Sequence, residues 1–196
     1  MEIGDEIMLT QKTFRGLLQA MSHPGEIIQM DPIKTPVPTS PEIELLYPAL
    51  LTLLDHEVGF TVIGPEKKKG ETTIAELTGA QVKDSTEADF IIIFDSESSG
   101  EITQAKRGTL EYPDTGATVI YRVASLKTGE DARPRVRLTG PGIKPEGITI
   151  HPGLPSVELD LLKEINAEYP LGIDCLLIDP DRRLMGIPRS TRLEVF

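Results

Sequence analysis

The residues of this chain best suited to chemistry are its arginines. Arg15 stands in Phe14-Arg15-Gly16, Arg133, Arg135 and Arg137 recur at every second position, and Arg189 and Arg192 bracket Ser190-Thr191 just after Pro188. A guanidinium presents its N–H groups as a planar fork that matches the oxygens of a phosphate or carboxylate. Gathered together, these side chains would hold an anion. On a strand, a period of two places Arg133, Arg135 and Arg137 on one face. The competing reading is ion pairing with the 31 acidic residues, and for the 133/135/137 group it is the favoured one. Arg189 is the more suggestive position, because Pro188 fixes the chain ahead of it and hydroxyls follow.

Other chemistries find little to work with. The three histidines, His23, His56 and His151, are scattered, and Cys175 is the single cysteine, so no zinc-ligand spacing exists. His56 lies in Asp55-His56-Glu57, a proton-transfer cluster on paper, but more simply a polar helix end. His23 reads as a helix-terminal residue facing the negative end of the dipole. Cys175 sits among apolar residues with no neighbour to lower its thiol pKa, which marks a buried structural residue. A lone cysteine forms no internal disulfide and fits a reducing compartment. Gly64 to Gly70 lacks the spacing of a phosphate loop, and Lys67-Lys68-Lys69 reads as a solvated turn. No lysine marks a cofactor aldimine, and no cofactor is expected. Gly140-Pro141-Gly142 lacks the third glycine and following helix of a dinucleotide fingerprint. It reads as a rigid turn, with close backbone approach to a ligand or partner as the alternative.

Composition sets the frame. At 196 residues the chain suits one domain spanning 1–196. Hydrophobic residues make up 39% and mean hydropathy is -0.13, enough for a packed core. No apolar stretch approaches the roughly 18 residues of a membrane-spanning helix. The acidic start, Met1 to Asp5, lacks the apolar core of a secretory signal. The net charge of -11 repels nucleic acid and anionic lipid at long range. A phosphate or phosphonate would therefore have to meet a local basic pocket.

The elements that position these residues follow from periodicity and punctuation. Thr10 is placed to cap a helix running to Met21, with Phe14, Leu17, Leu18 and Met21 as its apolar face. Ser22-His23-Pro24-Gly25 ends it, and a short strand follows at Glu26–Met30. Prolines make 31–41 a stiff extended loop. Ser40 caps a second helix over Glu42–Asp55, with Pro41 at the tolerated first position and Pro48 set to kink or divide it. Gly59–Ile63 is a strand and Thr73–Thr78 a short helix. Phe90–Phe94 is a central strand covered on both faces. Glu97–Lys106 reads as a flexible surface loop, and Ala117–Val123 as another strand. Pro155 opens a helix to Glu168 with Val157, Leu161, Leu162 and Ile165 inward. Gly172–Ile178 and Leu184–Ile187 are closing strands. Alternating helices and strands without a linker predict a single-domain α/β three-layer sandwich with a mixed central sheet.

A series of segments resembles the PhnH family, a subunit of the carbon–phosphorus lyase system. They are Phe14-Arg15, Ala20-Met21-Ser22 with Pro24-Gly25, Ala49 to Asp55, Gly108-Thr109, Tyr112-Pro113, Gly116-Ala117-Thr118, Leu138 to Ile143, Pro170 to Asp174, and Pro188-Arg189-Ser190-Thr191-Arg192. Their order and spacing run from Met8 to the C-terminus. Ser190 departs from the family's usual Thr but keeps the hydroxyl. The resemblance implies a bacterial cytoplasmic protein folded like the large domain of pyridoxal-phosphate-dependent transferases, without the cofactor site. It implies a homodimer that joins the G, I and J subunits and works with L. That assembly moves the ribose triphosphate of ATP onto a phosphonate, displacing adenine, before a radical subunit cleaves the carbon–phosphorus bond. No catalytic residue carries over. The residues left as a candidate partner or phosphate surface are Arg15, Gly140, Gly142, Arg189 and Arg192. The alternative function is a stand-alone enzyme or regulatory module that binds a phosphorylated small molecule through the arginines.

Overall fold

Phe90-Ile91-Ile92-Ile93 is apolar on both sides of its pleat, and such a strand is stable only where both faces of its sheet are covered. The rest of the architecture supplies that cover. The structure, a computed structural model, describes residues 3–129 and 134–196. Its elements are α1 (Ile3–Ser22), β1 (Ile28–Gln29), α2 (Pro41–Leu53), β2 (Gly59–Ile63), α3 (Lys67–Thr78), β3 (Gln81–Val82), β4 (Phe90–Ile93), β5 (Thr118–Arg122), β6 (Lys127–Thr128), β7 (Val136–Thr139), β8 (Ile148–His151), α4 (Ser156–Ile165), β9 (Asp174–Ile178), β10 (Arg183–Ile187) and β11 (Arg192–Val195), with 3-10 turns at Glu101–Gln104 and Pro113–Thr115.

The fold is α/β. A seven-stranded mixed sheet runs in the order β1-β10-β9-β5-β4-β2-β3. Strands β3, β2, β4, β5 and β9 are parallel neighbours, and β10 is antiparallel to both β9 and β1. One face packs Phe60, Val62, Ile92, Ile120, Leu176 and Leu184 against Leu17, Leu46, Leu50 and Ile74 from α1, α2 and α3. The other packs Ile91, Ile93, Val119, Cys175, Leu177 and Met185 against α4 and a second sheet. That second sheet is antiparallel, in the order β11-β7-β8-β6. The expectation of one mixed central sheet does not include it. Its inward residues Val136, Leu138, Ile150 and Leu193 join the core.

Several expectations change. Thr10 does not cap a helix. It lies inside α1, where its hydroxyl donates to Ile7 O at 3.0 Å. Phe14 and Leu18 do not face the core and are 47% and 55% exposed; Thr13, Leu17 and Ala20 turn inward instead. The cause is close approach: α1 lies so near β10 that a Cβ on Gly186 would come within 2.5 Å of Ala20 O. Pro48 does not divide α2, which is continuous from the Ser40 cap. Lys67, Lys68 and Lys69 are not a turn but the first turn of α3. Gly70 is tolerated within that helix because Phe94 packs where its Cβ would sit.

The 97–106 stretch is anchored rather than loose, with Ser98 and Ile102 fully buried. On α4, Val157 is 54% exposed, while Glu158 and Leu159 are completely buried. Glu158 is turned inward by its donors. The Ser98 N–H and hydroxyl each donate to Oε2 at 3.1 Å, and the Tyr121 hydroxyl donates to Oε1 at 2.5 Å. Burial, with the nearby Cys175 and Glu158 charges, pushes the Tyr121 phenol well up and keeps it a donor.

At the opposite end of the sheet, Asp89 ties three segments together. It accepts from Lys106 Nζ at 2.5 Å and from the Gly59 N–H at 2.8 Å. Partial burial raises the Asp89 pKa, but the Lys106 and Gly59 hydrogen bonds and the Lys106 and Lys83 charges outweigh that and leave it below the ordinary 3.8. A carboxyl with a depressed folded pKa stabilises the fold fully above its unfolded value and loses that contribution as pH falls through the folded value. The melting-temperature gap between the native chain and Asp89→Asn is therefore expected to be constant at neutral pH and to close as pH drops below 3.8, as a pH series of thermal melts would read directly.

Candidate functional site

The turn from β10 into β11 carries Pro188-Arg189-Ser190-Thr191. Thr191 N–H donates to Pro188 O at 2.9 Å, which closes it. Arg189 does not open its fork to solvent. Its backbone N–H donates to Asp174 Oδ1 at 2.8 Å, its Nε to both Asp174 oxygens at 3.2 Å, and its Nη2 to Oδ2 at 2.5 Å. Nη1 donates to Pro113 O at 2.5 Å and Nη2 to Gly116 O at 3.3 Å. The two side chains are only 12% and 21% exposed. Glycines make room for this clasp: a Cβ on Gly116 would collide with the guanidinium and with Gly172 O. One on Gly172 would collide with the Asn166 amide, which itself makes both hydrogen bonds to the Ile173 backbone. Pro113, Gly116, Gly172, Asp174 and Arg189, distant in sequence, thus meet at one joint.

A second joint uses Gly142. Its φ is +77°, and a Cβ there would run into the carbonyl of Ser22 at the end of α1. Gly25 is also closely packed, with an Ile148 methyl 2.8 Å from where its Cβ would lie. The Ser22–Gly25 and Gly140–Gly142 segments therefore lock α1 to the second sheet.

Between the clasp, α4 and β11 lies a cleft of about 850 Å³. Gly140, Arg189 and Arg192 all line it, together with Lys163, Tyr169 and Thr191. Gly140 has φ +136°, and its Cα approaches Ser190 O so closely that a Cβ would lie 2.9 Å from it. Arg15 is exposed on α1 and is not among the lining residues. Gly142 lines a smaller neighbouring cleft with His23 and Lys144. Arg137 pairs with Glu194 at 3.9 Å across the ladder and donates to Glu146 O, the bland outcome weighed for it. Arg133 lies outside the described residues.

The cations that face the cleft without an ion pair among the described residues are Lys163 and Arg192. Sequence reasoning missed Lys163, since nothing on α4 announced which of its polar residues would face β11. Thr191, one of the hydroxyls that follow Pro188, is 3% exposed, and its Oγ1 is buried without a hydrogen-bond partner.

Cys175 is 1% exposed, and burial, reinforced by the Asp174 and Glu158 charges, pushes its thiol well up. His56 is exposed in the turn after α2, with its carbonyl accepting from Gln81. Among the described residues no His, Cys, Asp and Glu group converges as a metal site, and no helix is long and apolar enough to cross a membrane.

A second cavity of about 650 Å³ sits at the C-terminal ends of β2 and β4, lined by Glu42, Ile43, Gly64, Lys69, Phe94 and Asp95. Sheet order reverses between these strands, the usual place for a crevice in an open parallel sheet. Its charges answer one another. Glu42 is held below the ordinary carboxylate range by its own backbone N–H and the Ser40 hydroxyl, helped by the Arg122 and Lys69 charges, while Lys69 pairs with Glu66 at 3.3 Å.

Comparison with known proteins follows this geometry. A family model described as "Bacterial phosphonate metabolism protein (PhnH)" matches residues 2–194. The chain is 34% identical to the alpha-D-ribose 1-methylphosphonate 5-triphosphate synthase subunit PhnH of Rhizobium meliloti (strain 1021), covering 97% of this chain and 93% of that protein. It is 30% identical to the putative C-P lyase subunit protein HtxG of Stutzerimonas stutzeri, covering 94% and 86%.

The two arginines of the turn should separate cleanly. Arg189→Ala leaves the Asp174 carboxylate and two carbonyls without donors in a mostly buried site and is expected to cost on the order of 3 kcal/mol. Arg192→Ala, on an exposed edge, should change stability by no more than about 0.5 kcal/mol. Urea unfolding of both variants measures the difference.

Proposed function

The chain belongs to the PhnH family, and from that premise we propose that it is an accessory subunit of a bacterial carbon–phosphorus lyase core complex. In this reading it supports the transfer of ribose triphosphate from ATP to an alkylphosphonate, with release of adenine, ahead of carbon–phosphorus cleavage. The single observation that carries it is the family match along residues 2–194, joined by relatives whose names place them as subunits of a ribose 1-methylphosphonate 5-triphosphate synthase and of a C-P lyase. The reading includes a cytoplasmic homodimer that assembles with the G, I and J subunits and acts with L. It also includes a likeness to the large domain of pyridoxal-phosphate-dependent transferases without their cofactor, which the mixed seven-stranded sheet supports.

The use of the family segments supports a scaffolding role. Arg189, Asp174, Gly116 and Gly172 close one joint, and Gly142 and Ser22 close another. Of the residues considered as a partner or phosphate surface, Arg189 and Gly142 are occupied in these joints. The alternative, a stand-alone enzyme acting through an arginine cluster, loses its principal residue once the Arg189 fork is occupied by Asp174 and two carbonyls.

The purified chain mixed with ATP and methylphosphonate is expected to release no adenine. Adding it to a preparation of the sister subunits made without it is expected to restore release, and tagged chain from phosphonate-grown cells is expected to bring those subunits with it. Adenine release by the isolated chain would overturn the accessory role.

A further inference from the structure

We infer that the outward face of α1 is a docking surface for a helix of a different polypeptide, one whose own apolar ridge is flanked by carboxylates. Ile7, Phe14 and Leu18 form the ridge that receives it, and Arg15 stands beside them. This inference deepens the accessory reading above and rests on it.

The first argument is where α1 keeps its apolar bulk. Toward the sheet it turns Thr13, Leu17 and Ala20, all buried, and Ala20 comes down almost onto Gly186 of β10. Toward water it turns larger side chains: Ile7 and Met8 are 65% and 51% exposed, in line with Phe14 and Leu18. A helix that only covers a core places its large apolar residues inward and polar ones outward. Single apolar residues scattered over a surface need no explanation, but these are not scattered. Ile7, Gln11, Phe14, Leu18 and Met21 follow steps of four, three, four and three, the seam spacing of a helix that packs against another helix. From Ile7 to Leu18 the ridge is about 16 Å long.

The second argument is charge, and it selects the partner. The chain has 31 acidic residues, yet none lies between Glu6 and Glu26. The Lys and Arg side chains of that stretch are Lys12 and Arg15. Lys12 reaches Asp31 at 3.5 Å, while Arg15 is exposed and makes no ion pair among the described residues. An apolar ridge edged by an open guanidinium fits a partner ridge edged by carboxylates. It fits a second copy poorly. Two α1 helices packed antiparallel about Phe14 would bring both Arg15 side chains to one seam, with no carboxylate from residues 7–25 of either copy to answer them. It fits a membrane poorly too, since a net charge of -11 is repelled by anionic headgroups at long range.

The third argument is rigidity. Gly186 holds α1 at Ala20, and Gly142 holds its end at the Ser22 carbonyl. The ridge is therefore fixed on the main sheet and on the second sheet at once. A surface whose backbone is already ordered loses no affinity to ordering it on contact.

The test immobilises the full chain and measures its affinity for the preparation of sister subunits made without it, over a series of salt concentrations. The native chain is expected to retain the subunits, less tightly as salt rises. The triple variant Ile7→Gln/Phe14→Gln/Leu18→Gln changes exposed positions only and keeps good helix formers there. It is expected to melt like the native chain while binding at least roughly tenfold more weakly. Arg15→Glu is expected to bind several-fold more weakly and to flatten the salt dependence, a signature that packing alone would not produce. If the triple variant melts lower, Arg15→Glu alone decides. Equal affinity in the triple variant overturns the docking face and leaves the assembly standing, and equal affinity in Arg15→Glu overturns the acidic partner. A native chain that retains no subunit removes the assembly and the docking face together. Sedimentation of the chain alone as a dimer that the triple variant dissociates assigns the face to a second copy, and flotation with vesicles of mixed phosphatidylcholine and phosphatidylserine assigns it to a membrane; either result overturns the inference.

Discussion

A parallel sheet whose strands are apolar on both sides has to be roofed and floored, and nearly every other feature of this molecule answers to that demand. Three helices cover one face through Leu17, Leu46, Leu50 and Ile74. The opposite face lies over β4, β5, β9 and β10 and receives one helix and a four-stranded sheet. Three of that sheet's strands, β6, β7 and β8, are inserted between β5 and β9, so the chain leaves the main sheet, builds most of its own floor and returns as an adjacent parallel strand, and β11 completes the floor after β10. Such an insertion has to be fastened at both ends. Arg189 and Asp174 fasten the return, and Gly142 against Ser22 fastens the floor to the first helix.

This arrangement explains why conspicuous residues are so poor a guide to chemistry here. Proline, glycine and arginine clusters suggested active surfaces because they fix backbone direction and carry charge. In the folded chain they fix the direction of segments that pass within contact distance of one another. Arg189 is well suited to this: its planar fork reaches one carboxylate and two carbonyls at once, which no lysine would do.

The sheet was legible from the residues wherever hydrophobic runs were short and β-branched. Phe90–Ile93, Gly59–Ile63 and Thr118–Arg122 form strands close to where their composition puts them, and Ser40 caps α2. What failed was orientation. Phe14, Leu18 and Val157 follow helical periods, yet each points outward, because Gly186 draws Ala20 down onto β10 and because Ser98 and Tyr121 draw Glu158 inward. Those pulls act between segments 37 or more residues apart, such as Tyr121 and Glu158 or Ser98 and Glu158, so no local window contains them. The second sheet was missed for a like reason: β6, β8 and β11 are short, half-polar and defined only by their partners. The cleft depends on how α4 lies over β11, and only the assembled layers reveal it.

One small arrangement at the rim of the main sheet has a larger effect. The outermost strand, β3, pairs only with Gly59 and Phe60, so the Val62 N–H beyond it has no strand to bond. Glu71, 9% exposed on α3, accepts that N–H at 3.3 Å and the Thr61 hydroxyl at 3.0 Å. A foreign chain sliding along this flank would meet a negative oxygen where it needs an open amide. The stretch of β2 that runs beyond β3 is thereby covered by a carboxylate and offers no open amide to another strand.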